Sequence, residues 1–293
     1  MNIHPGKHKG LDAVKNFARL FFKNPAGEKF LQNNIIKNPS STWKKFIPPH
    51  YLYKPGSSRE TTINGVHYSF DISNQVDHYI YFGQTEPGYK TMETDIKRAK
   101  IILDIGANNA TSSLFFANLN PGAVIIAFEP YPGNYKNALK NIALNSFANI
   151  EMFNVGLGDV NGSFQMYEVD PANNGMNRII PVNNHYSCSE VRIITLDSFM
   201  AHHNIAGISV AKIDVEGYEY NVLKGGEQVI KKYLPLLFIE LDDDNLKNNN
   251  ASATELISLL GEYGYRNIRR ADDLADVSPG DDFNHCHYDI IAT

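Results

Sequence analysis

The sequence lacks the features that mark membrane-spanning and nucleic-acid-binding proteins. No apolar run approaches the roughly 20 residues of a membrane-spanning helix, and the N-terminus has no apolar signal-peptide core. No long run of Lys and Arg is present, and the formal net charge is -5, which argues against a general nucleic-acid binder. We therefore expect no transmembrane span and no nucleic-acid partner.

Cysteine is also scarce. The chain has two cysteines, Cys188 and Cys286, and they do not form a C-x-x-C pair. This usage argues against a disulfide framework or a zinc knuckle, and it favours a reducing compartment. We expect a cytoplasmic protein.

A buried strand followed by a glycine turn is the feature around which the chain is organised. Residues 101–105 are apolar except for Asp104, which predicts a strand buried on both faces, and Gly106 ends it. A helix over 111–118 and a second buried strand over 123–128 follow. Glu129 ends this second strand, about 20 positions after the turn, where nucleotide-type βαβ units bind a ribose diol.

The turn after the first buried strand has fewer glycines than a dinucleotide-binding site needs. After Gly106 the chain continues with Ala107, Asn108, Asn109 and Ala110, without the further glycines of G-x-G-x-x-G. A nicotinamide dinucleotide needs those glycines so that its pyrophosphate can approach the helix N-terminus. S-adenosylmethionine (SAM) carries no phosphate, so we favour SAM over a nicotinamide cofactor.

The order of the predicted elements defines the fold class. Further strands are predicted at 150–155, 208–213, 236–239 and 265–269, with helices between most of them, and a last strand at 287–292. This order is typical of an α/β, Rossmann-like class I SAM-methyltransferase fold. That fold has a seven-stranded, mostly parallel sheet with one antiparallel strand and helices on both faces. We expect residues 61–293 to form this domain and residues 1–60 an N-terminal extension of helix and irregular connection.

Three other segments have predicted roles. Residues 11–23 carry apolar residues at helical spacing with Lys15, Arg19 and Lys23 among them. This helix would pack on the main domain or a second subunit, or lie as a basic amphipathic helix on a membrane surface. Asn64-Gly65 predicts a hairpin over 60–72. The polar stretch 170–190 is provisionally assigned to substrate binding.

Acidic residues fall at the predicted carboxyl ends of the core strands, where open α/β sheets bind ligands. Asp214 and Glu216 face one side if the strand continues through them, and Glu240 lies on the neighbouring strand. Carboxylates held close raise one another's pKa, which suits a general base for an alcohol. Asp214 and Glu240, joined by Asp242, could instead hold a divalent metal ion. Alternatively, Glu216 caps the helix that follows. The six strand-end acids are Asp104, Glu129, Asp159, Asp214, Glu216 and Glu240.

Several short motifs, in order, resemble those of the FkbM family of SAM-dependent methyltransferases over about residues 65–267. Residues 103–108 resemble the D-x-G-A-N signature, and residues 127–135 resemble A-F-E-P-x-P-x-N-Y. Residues 212–217 resemble K-x-D-x-E-G, and Glu86-Pro87 resembles an upstream acidic motif. The remaining matches are 141–145, 195–197, 222–225 and 235–240.

The resemblance implies SAM-dependent O-methylation of a hydroxyl, often on a sugar, glycolipid or polyketide. It implies a methyl-transfer centre near Asp214, Glu216 and Glu240. The family usually has Gly where Ala110 stands, and an alanine fits there if its φ is negative. The candidate cofactor-binding residues are Glu86, Asp104, Gly106, Ala107, Asn108, Glu129, Pro130, Asn134, Gly158 and Asp159.

We therefore expect an enzyme that transfers a methyl group from SAM to a sugar-containing small molecule and that forms a homo-oligomer. The alternative is a non-catalytic member of the fold that binds SAM or a partner protein. The three retained candidate catalytic carboxylates argue for the enzyme.

Overall fold

A computed structural model describes residues 16–84, 88–168, 172–173, 175, 177–178 and 188–293. The chain divides into two compact units. The first comprises Met1–Ile63, Tyr68–Glu86 and Pro171–Asn173, and the second comprises the remaining residues. The predicted domain boundary near residue 60 stays a prediction.

The first unit is mainly helical. Asn24 caps its longest helix by accepting a hydrogen bond from the backbone N–H of Gly27, and Pro25 occupies the first turn. Leu31 and Ile35, four residues apart, are fully buried. Its described helices are α1 (16–20), α2 (Pro25–Lys37), α3 (Gln75–Tyr81) and the 3₁₀ helices Thr42–Phe46 and His50–Leu52.

The predicted hairpin is confirmed. Strands β1 (Ser58–Ile63) and β2 (Val66–Asp71) form a two-stranded sheet. Asn64 and Gly65 both have positive φ, at 51° and 86°, as a two-residue type I′ turn requires.

The second unit contains the remaining elements. Its described helices are α4 (Gly88–Thr91), α5 (Glu93–Arg98), α6 (Thr111–Leu119), α7 (Pro132–Ala143), α8 (Leu196–His203), α9 (Glu219–Gly225), α10 (Glu227–Tyr233), α11 (Asp243–Asn248) and α12 (Ala253–Tyr263). Its described strands are β3 (Ile101–Ile105), β4 (Val124–Phe128), β5 (Ile150–Phe153), β6 (Gly156–Leu157), β7 (Gly162–Glu168), β8 (Asn177–Arg178), β9 (Cys188–Ile194), β10 (Val210–Ile213), β11 (Leu236–Asp242), β12 (Ile268–Arg270) and β13 (His287–Ala292).

The predicted seven-stranded sheet is confirmed. Its order is β12-β13-β11-β10-β3-β4-β5. Strand β13 runs antiparallel to both of its neighbours, whereas the other described pairings are parallel. The carboxyl ends of β3, β4, β10 and β11 therefore meet at one edge of the sheet.

Both faces of the sheet are buried, which explains why its strands are apolar throughout. Leu103 and Ile105 belong to one apolar cluster, whereas Ile102, between them, belongs to another with Phe116 of α6. This alternation follows from the two-residue period of a strand.

Three element predictions are corrected. The third strand ends at Phe153, and Gly156–Leu157 instead pairs with β9 in a separate sheet of order β6-β9-β7-β8. Gly158 and Asp159 therefore follow β6 and do not end the third core strand. The single helices predicted over 218–232 and 89–99 are each two short helices.

None of the helices in the described ranges is long and apolar enough to cross a membrane. Of the predicted amphipathic helix 11–23, residues 11–15 lie outside the described part.

Candidate active site

The turn after β3 brings two neighbouring strand ends into close contact. Gly106 has φ of 82°, and a Cβ there would lie 1.8 Å from the carbonyl oxygen of Asp214. The backbone N–H groups of Gly106 and Ala107 both donate to the carbonyl oxygen of Phe128, at 3.1 and 2.9 Å. Only glycine satisfies both the positive φ and the close approach.

The rest of the turn contains two further residues with positive φ. Asn108 has φ of 50° and Ala110 has φ of 64°. Ala110 therefore does not have the negative φ at which an alanine fits without strain. Ala110 is fully buried at the N-terminus of α6, so the alanine is held in a left-handed conformation that a glycine would adopt without strain.

Asp104 lies beneath the turn. Its Oδ2 accepts hydrogen bonds from the hydroxyls of Ser112 and Ser113 in the first turn of α6. Its Oδ1 has no hydrogen-bond partner among the described residues and lies 3.6 Å from Nζ of Lys212. Asp104 therefore fixes α6 against the strand end.

Lys212 in β10 connects the turn to the acidic edge. Its buried Nζ donates to the carbonyl oxygen of Gly106 at 3.0 Å and lies 3.1 Å from Oδ2 of Asp214. Burial disfavours the charged ammonium, but Asp214 and Asp104 outweigh it and raise the pKa of Lys212. The K-x-D-x-E-G motif contains this lysine, yet sequence reasoning assigned it no role.

Glu129, at the end of β4, holds two loops at once. Its Oε2 accepts from the backbone N–H of Asn108 and its Oε1 from that of Tyr131, both at 2.9 Å. Burial raises its pKa to about 7, against the opposing effect of these hydrogen bonds and of one from Asn134. These three hydrogen bonds leave about one of the four lone-pair positions of the carboxylate, so Glu129 can still accept a ligand hydroxyl.

A cavity lies at these strand ends. Gly106, Pro130 and Glu216 line it, and they come from the ends of β3, β4 and β10. Tyr218 also lines the cavity, and its hydroxyl is hydrogen-bonded to Asp159. Burial, and to a smaller extent Asp159, raise the pKa of Tyr218 to about 12. The remaining lining residues are Ile105, Phe128, Gly156, Leu157, Met166, Ile193, Val215 and Asn249.

The predicted catalytic carboxylates come together, but in different environments. Asp214 is 41% exposed and is paired with Lys212. Glu240 is 16% exposed, and its Oε2 has no hydrogen-bond partner among the described residues. Burial and the carboxylates of Asp214 and Glu216 raise the pKa of Glu240 well above its ordinary value.

The condition under which Asp214 and Glu216 would share one face of a strand is not met. Strand β10 ends at Ile213, and Glu216 has φ of 55°. The N-cap of α9 is Tyr218, so Glu216 precedes the cap, and its Oε2 accepts from Nδ2 of Asn245 at 3.3 Å.

Glu219 is a buried carboxylate that sequence reasoning missed. Its Oε1 accepts from the backbone N–H groups of Val215 and Gly217, at 2.9 and 3.1 Å. These residues flank Glu216, so Glu219 holds the left-handed turn that presents Glu216. Burial raises the pKa of Glu219 to about 7.

Asp242 has a structural role. It caps α11 by accepting from the backbone N–H of Asn245 at 2.9 Å, and its Oδ2 lies 3.0 Å from Nδ1 of His287. Burial opposes ionisation of Asp242, but His287 and Asn245 hold its pKa below the ordinary value. Within the described residues, no group of three or more His, Cys, Asp or Glu is arranged to hold a metal ion.

Two predicted parts of the site fall outside the described residues. These are Glu86 and most of the 170–190 segment.

The sheet order and the glycine turn place the chain in the class I methyltransferase fold. A family model described as "Methyltransferase FkbM domain" matches residues 104–267, so the chain belongs to this family. The family assignment from sequence motifs is thus confirmed.

Similar proteins include two methyltransferases. The chain is 25% identical over 178 residues to "Methyltransferase 1" of Beauveria bassiana, covering 55% of this chain and 71% of that protein. It is 24% identical over 180 residues to "2-O-methyltransferase NoeI" of Sinorhizobium fredii, covering 56% and 72% respectively.

A solved structure with a related fold is the methyltransferase FkbM from Methylobacillus flagellatus KT. It is 16% identical with a TM-score of 0.43, and the match covers 74% of this chain and 52% of that chain.

Proposed function

We propose that this protein is a SAM-dependent O-methyltransferase that acts on a hydroxyl of a sugar-containing small molecule. The observation that carries the proposal is the cavity at the carboxyl ends of β3, β4 and β10, which Gly106 of the glycine turn and Glu216 line. The relative named a 2-O-methyltransferase supports oxygen as the acceptor atom.

Residues at the same strand ends as the cavity fit SAM. Glu129 can accept one ribose hydroxyl besides its three hydrogen bonds, and the buried Oδ1 of Asn108 has no hydrogen-bond partner among the described residues. Asn108, the Gly106 turn and Ala107 would hold the amino acid end. Tyr218, with Asp159 behind it, would border the adenine. When bound, SAM would supply the methyl group as an electrophilic sulfonium.

The two carboxylates would have different roles, because their environments differ. Asp214 is accessible, and Lys212 stabilises its negative charge, so Asp214 would accept the proton of the acceptor hydroxyl. Glu240, with its raised pKa, would keep its proton and donate a hydrogen bond that orients the acceptor. Proximity and orientation then supply much of the rate.

Acceptor screening with radiolabelled SAM tests this proposal. Nucleotide sugars and glycolipids would be incubated with the protein, and label in the acceptor would be located by mass spectrometry. Transfer to a sugar oxygen would support the proposal. Transfer to nitrogen or carbon would contradict it, and SAM binding without transfer to any acceptor would favour the non-catalytic alternative.

A further inference from the structure

The first unit carries an exposed apolar surface, which we call the aromatic surface. It consists of five side chains that are between 37% and 70% exposed: Phe17, Leu20, Phe21, Phe30 and Phe46. Single exposed apolar residues are common on soluble proteins, but a contiguous group marks an interaction site.

Ring contacts link the elements that carry these side chains. Phe22, next to Phe21 in the chain, contacts Phe30 with ring centroids 6.2 Å apart and Phe46 at 5.7 Å. Phe17 contacts Phe21, with ring centroids 5.7 Å apart. Trp43 contacts Phe30 at 4.9 Å and Phe46 at 5.5 Å. The surface therefore combines the segment 17–22, helix α2 and the 3₁₀ helix Thr42–Phe46.

Polar contacts fix the same elements together. Nε of Arg19 donates to the carbonyl oxygen of Lys45 at 2.9 Å. Nδ2 of Asn16 donates to the hydroxyl of Tyr51 at 3.2 Å. The arrangement is thus wider than the single amphipathic helix that the sequence predicts over 11–23.

The charge around the aromatic surface is positive. Residues 16–84 contain eight Lys or Arg and four Asp or Glu, although the whole chain has a net charge of -5. Glu28, one of those four acids, is buried and forms an ion pair with Arg59, which leaves seven basic and three acidic side chains. Lys44 and Lys45 are exposed and adjacent to Phe46.

This combination fits an anionic lipid surface. Aromatic side chains are favoured at the level of lipid headgroups, and nearby basic side chains are attracted to anionic lipids. A symmetric dimer through the same surface would bring Lys44 and Lys45 towards their own copies, and like charges repel. We propose that the aromatic surface docks the protein reversibly on anionic membranes.

Vesicle co-sedimentation at low salt tests this proposal. We expect the protein to bind vesicles of phosphatidylcholine mixed with phosphatidylserine, to bind phosphatidylcholine alone more weakly, and to be released by salt. The double variant Phe21→Ser/Lys45→Glu should lose about tenfold in apparent affinity.

The matched control is Leu139→Ser/Lys136→Glu, which also changes one exposed apolar residue and one exposed lysine, but on α7. It should bind like the wild type. A second variant, Lys44→Glu/Lys45→Glu, keeps all aromatic residues and should lose the preference for phosphatidylserine. Circular dichroism checks that each variant is folded.

Two results would overturn the proposal. One is equal vesicle binding by the Phe21→Ser/Lys45→Glu variant and its control. The other is a wild-type protein that is dimeric and does not bind anionic vesicles, together with a Phe21 variant that is monomeric.

Discussion

Lys212 and Asp214, two residues apart at the end of β10, form an ion pair with 3.1 Å between Nζ and Oδ2. The same ammonium donates to the carbonyl oxygen of Gly106. One buried lysine therefore ties the proposed cofactor turn to the proposed catalytic base.

Replacing Lys212 with methionine should strongly destabilise the protein. The change leaves the buried carboxylate of Asp104 without its counter-charge, and breaking a buried pair costs about 3–5 kcal/mol. The measurement is the free energy of unfolding in urea. Lys97→Met is the control, because it breaks only the exposed pair with Glu93 and should leave the free energy of unfolding almost unchanged. Similar losses in both variants would contradict the role of Lys212.

Replacing Glu219 with alanine should lower turnover and stability. The backbone N–H groups of Val215 and Gly217 lose their acceptor, which costs about 1–3 kcal/mol, and the turn that presents Glu216 loosens. Glu219→Gln keeps an acceptor oxygen and should restore most of the turnover. Glu227→Ala, on the exposed side of α10, is the control. Full activity in Glu219→Ala would show that the turn needs no such support.

Raised carboxyl pKa values predict how stability depends on pH. Glu129 and Glu219 have pKa values of about 7 in the folded protein against an ordinary value of 4.5. The folded state therefore binds more protons than the unfolded state between these values, so the free energy of unfolding falls as pH rises from about 4.5 to 7. Glu129→Gln should flatten part of this slope in urea titrations at several pH values. An unchanged slope would show that Glu129 titrates normally.

Asp214→Asn should lower turnover by about 100-fold or more, because an amide cannot take up the proton of the substrate hydroxyl. SAM affinity should remain close to that of the wild type. The comparison is Asp242→Asn, since Asp242 caps α11 and is not assigned to the chemistry. Loss of SAM binding in Asp214→Asn would place this residue in the cofactor site instead.

The sequence predicted the central sheet well, because βα alternation and long apolar strands are local patterns. It placed Asp104, Glu129, Asp214 and Glu240 at one sheet edge for the same reason. It did not predict the environments of these carboxylates, because burial and charge neighbours depend on distant residues. The separate pairing of Gly156–Leu157 was missed because its partner, β9, lies more than 30 residues away.

Two backbone conformations could not be predicted from the sequence either. Ala110 and Glu216 both adopt positive φ, which is uncommon for residues other than glycine. At Glu216, hydrogen bonds from the flanking backbone N–H groups to Glu219 support the turn. No residue-type preference in the sequence predicts this turn.

Calorimetric titration of the cofactor-free protein with SAM and, separately, with NAD tests the central claim most directly. Glu129→Ala serves as the binding-site variant, because it removes the carboxylate proposed to hold the ribose. We predict saturable binding of SAM, weaker binding in Glu129→Ala, and no binding of NAD. A folded wild-type protein that fails to bind SAM, or that binds it as tightly after Glu129→Ala, would contradict the account.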